Sequence, residues 1–272
     1  MIRSALMTVM TAAAIKAGRG LKRDFGEVEN LQVSVKGPGD FVSAADKKAE
    51  KTLFEELSRA RPGYGFLMEE GGEVEGSDKS HTWIIDPLDG TTNFLHGLPQ
   101  FSISIGLVRE GQIVAGLVYN PATEDMYVAE KGQGAYHNNR RLRVAARREF
   151  SEALIGCGAP HVGKSGEHAR FIDEISSVMR AAAGIRRLGS AALDLCHVAE
   201  GSYDGFWERG LKAWDIAAGI IMIREAGGFV TDADGAADPL GTCSVCAGND
   251  SIHRALLGLL KKSRPPALAA RD

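Results

Sequence analysis

The stretch from His81 to Gly106, H-T-W-I-I-D-P-L-D-G-T-T-N-F-L-H-G-L-P-Q-F-S-I-S-I-G, constrains the fold of this chain more than any other. Trp83-Ile84-Ile85 is a short apolar run suited to a buried strand, and Pro87 and Gly90 interrupt it abruptly. Proline fixes φ and removes a donor, and glycine lets the backbone turn with nothing crowding its amide. The strand is therefore predicted to end here, with Asp86 and Asp89 at its tip. A short helix predicted to start at Thr92 would leave the amides of Gly90, Thr91 and Thr92 outward at its positive end. Carboxylates beside such amides suggest metal ions next to phosphate. The plainer local reading is an Asx-type turn in which both aspartates only cap the loop.

The rest of the chain reads as elements that could frame this loop. Ile2, Leu6, Met10, Ala13, Ala17 and Leu21 recur at helical spacing, which argues for an amphipathic first helix rather than a signal peptide. Leu31 to Lys36 alternates like a strand and Gly37-Pro38-Gly39-Asp40 turns it. Ser43 and Asp46 open a second helix with Ala45, Ala49, Leu53 and Leu57 on its buried face, and Arg61-Pro62-Gly63 stops it. Gly65 to Met68 is a short strand ending at Glu69 and Glu70, so another acid reaches a strand end. Phe101 to Val144 alternates apolar and polar residues between turns, as an antiparallel meander would. After Val144 short strands alternate with helices at 167–179, 191–199 and 216–226, an α/β pattern. The expectation is one domain over 1–272 of mixed α+β class, with subdomains of about 1–148 and 149–263 sharing a cleft and a loose tail over 264–272.

Composition narrows the function classes. Lys+Arg 32 against Asp+Glu 35 gives a net charge of −3, and the basic residues are scattered apart from Arg140-Arg141-Leu142-Arg143 and Arg147-Arg148, so no nucleic-acid surface is indicated. Arg147-Arg148 reads as a solvated turn. No apolar run approaches the ~20 residues of a membrane span. Four cysteines are too few for a secreted disulfide framework, which fits a reducing cytoplasm. Cys243-Ser244-Val245-Cys246 has the C-x-x-C spacing but no second ligand pair, and T-C-S-V-C-A-G reads as a strand.

Asp86-Pro87-Leu88-Asp89-Gly90-Thr91-Thr92-Asn93-Phe94 resembles the signature of the inositol monophosphatase family, the lithium-sensitive, magnesium-dependent phosphatases. Met68-Glu69-Glu70 upstream and Leu211-Lys212-Ala213-Trp214-Asp215, followed by a helix ending in Glu225-Ala226-Gly227-Gly228, match in the right order. The resemblance runs from about Asp40 to about Asn249, and Arg187 to Leu195 is similar to bacterial members. It implies a layered αβαβα sandwich and a homodimer. It also implies hydrolysis of a phosphate monoester, myo-inositol monophosphate first, by a metal-activated water in direct in-line attack. Fructose 1,6-bisphosphate or a nucleotide 3'-phosphate are the alternative substrates.

Such chemistry needs charge neutralised on phosphoryl oxygens, an activated water and a stabilised leaving oxygen, and a pair of metal ions supplies all three. Magnesium takes oxygen ligands, and Glu69, Asp86, Asp89 and Asp215 with one backbone carbonyl are the right inventory. By resemblance, one ion takes Glu69, Asp86 and the carbonyl of Leu88, a second takes Asp86, Asp89 and Asp215, and a third, looser one lies near Glu69. Asp215 at a helix start could instead serve as a cap, and Glu70 is expected to face away. Thr91 and Asp46 are the expected relay that prepares the nucleophile, with Thr91 as a mere helix cap the alternative. Substrate contacts are expected from Asp89, Gly90, Thr91, Thr92, Gly189, Ser190, Ala191, Glu208 and Asp215. Gly156 to Pro160 departs from the animal enzymes, which puts strict inositol selectivity in doubt. The competing motif is Gly158-Ala159-Pro160-His161-Val162-Gly163-Lys164-Ser165, which fits the P-loop pattern and makes a nucleotide-hydrolysing machine the distant alternative. Gly166 weakens the helix start such a loop needs, and Lys164 is expected near the cleft mouth.

Overall fold

A computed structural model describes residues 4–25, 33–37, 40–161 and 165–263; Leu31, Gln32, Pro38, Gly39, Lys164 and the tail from Arg264 lie outside them. The elements run α1 (Ala5–Phe25), β1 (Val33–Gly37), β2 (Asp40–Ser43), α2 (Ala44–Ala60), β3 (Tyr64–Met68), β4 (Gly72–Val74), β5 (Asp78–Asp89), α3 (Thr91–Leu95), β6 (Ser102–Arg109), β7 (Gln112–Asn120), β8 (Asp125–Glu130), β9 (Gly134–His137) and β10 (Arg140–Arg141). They continue with β11 (Leu154–Cys157), α4 (Ser165–Met179), β12 (Gly184–Arg186), α5 (Ala191–Glu200), β13 (Gly205–Arg209), α6 (Ala213–Glu225), β14 (Phe229–Thr231), α7 (Pro239–Thr242), β15 (Ser244–Gly248) and α8 (Asp250–Lys262).

Two large sheets alternate with helix layers. An eight-stranded sheet, ordered β10-β9-β8-β7-β6-β5-β3-β4, is antiparallel except where β3 runs beside β5. Helices α1 and α2 cover one face, burying Met10, Leu21, Leu53 and Leu57 against Trp83, Ile85, Ile103 and Ile105. Helices α5 and α6 cover the other face and also back the five-stranded sheet β12-β11-β13-β15-β14. Beyond that sheet lie α4 and α8, so the order of layers is αβαβα. No helix among the described residues is long and apolar enough to cross a membrane.

The central strands differ from a half-solvated meander. In β6, Ile103, Ile105 and Leu107 face α1 and α2, while the intervening Ser102 and Ser104 are also fully buried. Those positions are small rather than solvated because α6 covers them. Gly106 and Gly116 pair directly across β6 and β7. A Cβ on Gly106 would stand 2.8 Å from Cβ of Ala217, and one on Gly116 would stand 2.8 Å from the Ala218 carbonyl oxygen. This glycine pair lets α6 approach the sheet closely, and α6 carries Asp215 in its first turn. Arg147 is not merely solvated, since its guanidinium lies 3.1 Å from the buried carboxylate of Asp204.

Overpacking a well-filled core typically costs about 1–3 kcal/mol. Gly116→Ala is expected to lower the unfolding free energy by that much, moving the urea midpoint down without changing the slope, and to reduce activity by lifting α6 and its Asp215. An unchanged midpoint would show that the helix does not need this approach.

Candidate active site

Strand β5 delivers the first two acids. Side chains three residues apart on a regular strand point to opposite faces. Here the pairing slips, because Asp86 faces Ser104 and Asp89 faces Ser102, so three steps on β5 match two on β6. The extra residue makes a bulge around Pro87, which has no amide to lose from the ladder. The Leu88 amide turns inward and donates to Oδ1 of Asp86 at 2.9 Å. The strand thus continues past Pro87 to Asp89, where the sequence predicts a stop, and the bulge aims both carboxylates into one place.

Gly90 then adopts a left-handed conformation (φ 91°, ψ 35°) and caps α3, which starts at Thr91, one residue earlier than expected. Its first amides have no acceptor within the helix. Oγ1 of Thr91 lies 3.2 Å from Oδ1 of Asp46 and 3.0 Å from the Leu88 carbonyl oxygen, and its single hydrogen serves one of them at a time. Asp46 is fully buried in the first turn of α2.

Asp215 arrives from α6. Its Oδ2 accepts the Lys212 amide at 2.7 Å, so it caps its helix and contributes to the cluster at once. The Trp214 carbonyl is held by the Ser104 hydroxyl at 3.0 Å, which ties the start of α6 to β6. Asp89 is fastened in the same manner: its Oδ2 accepts from the Ser190 hydroxyl at 2.5 Å and the Ala192 amide at 2.8 Å. Ligand atoms of Asp86, Asp89 and Asp215 all lie within 4.8 Å of one another, and among the described residues this is the group that could hold a metal ion. Glu69 is outside that grouping but lines the same cleft, and its charge acts on Asp86 and Asp215. Glu70 faces a different recess, and its amide donates to Glu50 at 2.8 Å.

The crowding is visible in the acid–base chemistry. Burial, then the charges of Glu69, Asp89 and Asp215, push the Asp86 carboxyl well above its usual range. Burial raises Asp89 to about 6, although hydrogen bonds from Ser190 and the Ala192 amide oppose it. Burial and the neighbouring Asp89 raise Asp215 to about 7.

The cleft has a volume of about 790 Å³ and is lined by these acids together with Thr92, Gly189, Ala191 and Glu208. Burial and the charges of Asp194, Asp215 and Asp89 push the Glu208 carboxyl well up. Ser190 does not line the cleft, because its hydroxyl is turned to Asp89. His161, His168 and Arg187 line it without having been given a site role, and Ser104, one of several small residues in β6, carries nothing in the sequence that sets it apart. The P-loop segment does run from β11 into α4, which starts at Ser165 despite Gly166, but its first glycine offers no free amide. The Gly158 amide donates to the Trp207 carbonyl at 3.2 Å, where a phosphate loop would need it free, and residues 162–164 lie outside the described set. Cys243 and Cys246 are free thiols.

The sequence model of the inositol monophosphatase family matches residues 3–265. The chain belongs to the inositol monophosphatase family. It is 64% identical over 262 residues to an inositol-1-monophosphatase of Mesorhizobium japonicum, covering 96% of this chain and 98% of that one. It is 38% identical to Nus factor SuhB of Pseudomonas aeruginosa, covering 97% and 98%. Among solved structures, extragenic suppressor protein suhB from Bartonella henselae superposes with a TM-score of 0.92 at 55% identity, covering 95% of this chain and 99% of that one. This family is one of phosphatases, so the chain is an enzyme, and its cleft holds a group of acids that could bind a metal ion.

A divalent cation entering this site must displace the protons its crowded carboxyls retain. Affinity is therefore expected to rise with pH through the 6 to 7 window of Asp89 and Asp215 and then level off, with proton release largest at the acid side. Calorimetric titration of magnesium in buffers of different ionisation enthalpy measures both. Affinity that ignores pH across that window would mean the cation binds elsewhere.

Proposed function

We propose that this enzyme hydrolyses a phosphate monoester, with myo-inositol monophosphate as its substrate and magnesium as its cofactor. The observation that carries the reading is the convergence of Asp86, Asp89 and Asp215 within 4.8 Å in a cleft that Glu208 also lines. The donor set fits the cation: hard oxygen ligands, with carboxyls that raise one another and so call for positive charge. Asp86, Asp89, Asp215, Glu69 and the Leu88 carbonyl would hold two ions, with a third, looser one near Glu69. When bound, magnesium supplies Lewis-acid stabilisation to the phosphoryl and leaving oxygens and makes water more acidic.

The chain's own groups do the rest. Asp46, as acceptor for the Thr91 hydroxyl hydrogen at 3.2 Å, turns an oxygen lone pair of Thr91 toward the cleft. As that lone pair takes a proton from the attacking water, the hydroxyl hydrogen of Thr91 passes to Asp46, so the relay needs no histidine and the attack goes in line without a phosphoenzyme. The amides at the start of α3 receive phosphoryl oxygens. Glu208, Gly189 and Ala191 receive the alcohol. An identity of 64% to a protein named for this activity supports the substrate. Free cysteines support a cytoplasmic setting, and a homodimer is expected from the family.

A phosphate-release panel with magnesium tests the substrate: inositol 1-phosphate should exceed fructose 1,6-bisphosphate and nucleotide 3'-phosphates, and chelation, lithium and excess calcium should each inhibit. Full activity after chelation would overturn it. Thr91→Ala and Asp46→Asn are each expected to lower kcat about a hundredfold with little change in KM, since general-base assistance contributes ~10²–10⁴. A double variant much slower than either single would show that the two do not share one proton path.

A further inference from the structure

Strand β13 presents alternate side chains to opposite faces. Trp207 and Arg209 point toward α4, where Glu174 accepts from the Trp207 indole at 3.1 Å and from Nε of Arg209 at 2.9 Å. Glu208, between them, is thereby sent to the cleft face. On that face it has a neighbour on each side. Val245 of β15 is its registered partner and is fully buried, so the side chain cannot lean that way. On the other side, Cys157 is registered with Trp207 and the Gly158 amide donates to the Trp207 carbonyl, which puts residue 158 beside residue 208 on the same face. A Cβ built on Gly158 would overlap the carboxyl carbon and both carboxylate oxygens of Glu208. Gly158 does not have the positive φ that glycine usually serves, so its backbone would accept a side chain. The space is what Glu208 uses.

We propose that Gly158 is a specificity-determining residue: its missing side chain is the seat of the Glu208 carboxylate, and it decides whether that carboxylate can meet the alcohol part of the substrate. The proposal rests on the reading of Glu208 as an alcohol contact. Any side chain at 158 must push the carboxyl to ordinary contact at about 3.5–4 Å, and the end of a glutamate yields by rotating rather than by unfolding the strand. The chemical class selected is a polyol phosphate, whose hydroxyls a seated carboxyl can bind.

The test compares kcat/KM for inositol 1-phosphate with that for 4-nitrophenyl phosphate, which has no hydroxyls to offer. A buried polar group left without its hydrogen bond costs roughly tenfold. Gly158→Ala is expected to lower the selectivity ratio about tenfold, chiefly through KM, as Glu208→Gln does, and the double variant should lose no more than either single. A ratio untouched by Gly158→Ala while Glu208→Gln lowers it overturns the seat alone. A ratio untouched by Glu208→Gln overturns the reading of Glu208 and the specificity role of Gly158 with it. Multiplying losses in the double variant also overturn the seat. Should Gly158→Ala fail to fold, adding Glu208→Ala removes the overlapping carboxyl and restores a soluble protein; continued misfolding would mean that the glycine serves something else.

Discussion

Buried carboxylates repel one another and resist losing water, and this site needs several of them in one place. Much of the molecule can be understood as the means of holding them there. Asp86 is fixed by the Leu88 amide, Asp89 by Ser190 and the Ala192 amide, and Asp215 by the Lys212 amide. Each bond uses a group that the fold already holds rigid, and each favours the ionised form. Burial and mutual repulsion still outweigh them, since all three carboxyls remain raised. A cluster left in that condition is poised for a cation.

The three acids come from parts of the chain with no local reason to meet. A bulge in β5 turns two of them to one side, and the close packing of α6 on paired glycines brings the third. Ser104 joins the two devices, facing Asp86 across the sheet while holding the start of α6. The opposite wall of the cleft belongs to the second sheet, where the pleat of β13 and the absence of a side chain at Gly158 set the reach of Glu208. Asp86 and Asp89 thus rest on one sheet and Glu208 on the other, so on the proposed reading selectivity for the alcohol can vary while the phosphate chemistry is kept.

The motif from Asp86 to Phe94, with Glu69 before it and Asp215 after it, was enough to name the family, and the structure brings Asp86, Asp89 and Asp215 close enough to share a metal ion while Glu69 stands outside that group. Helical periodicity likewise marked α1 and α2, since one buried face leaves a 3.6-residue signature. The path of β5 through Pro87 was not legible, because local rules read proline as a stop and only the partner strand shows that a bulge absorbs it. Nor was the full burial of β6 legible: Ser102 and Ser104 alternate with isoleucines like solvated positions, and only the helix above them makes them interior.

The sequence by itself determined the family, which acids are available as oxygen ligands and many of the stretches that form helix and strand, because residue type and short-range spacing carry that information. The tertiary structure alone decided which faces are covered, that Asp215 both caps its helix and joins Asp86, and that Gly158 is open for Glu208. These depend on contacts between segments far apart in the chain, and an absent side chain has meaning only once the atoms that fill its place are known.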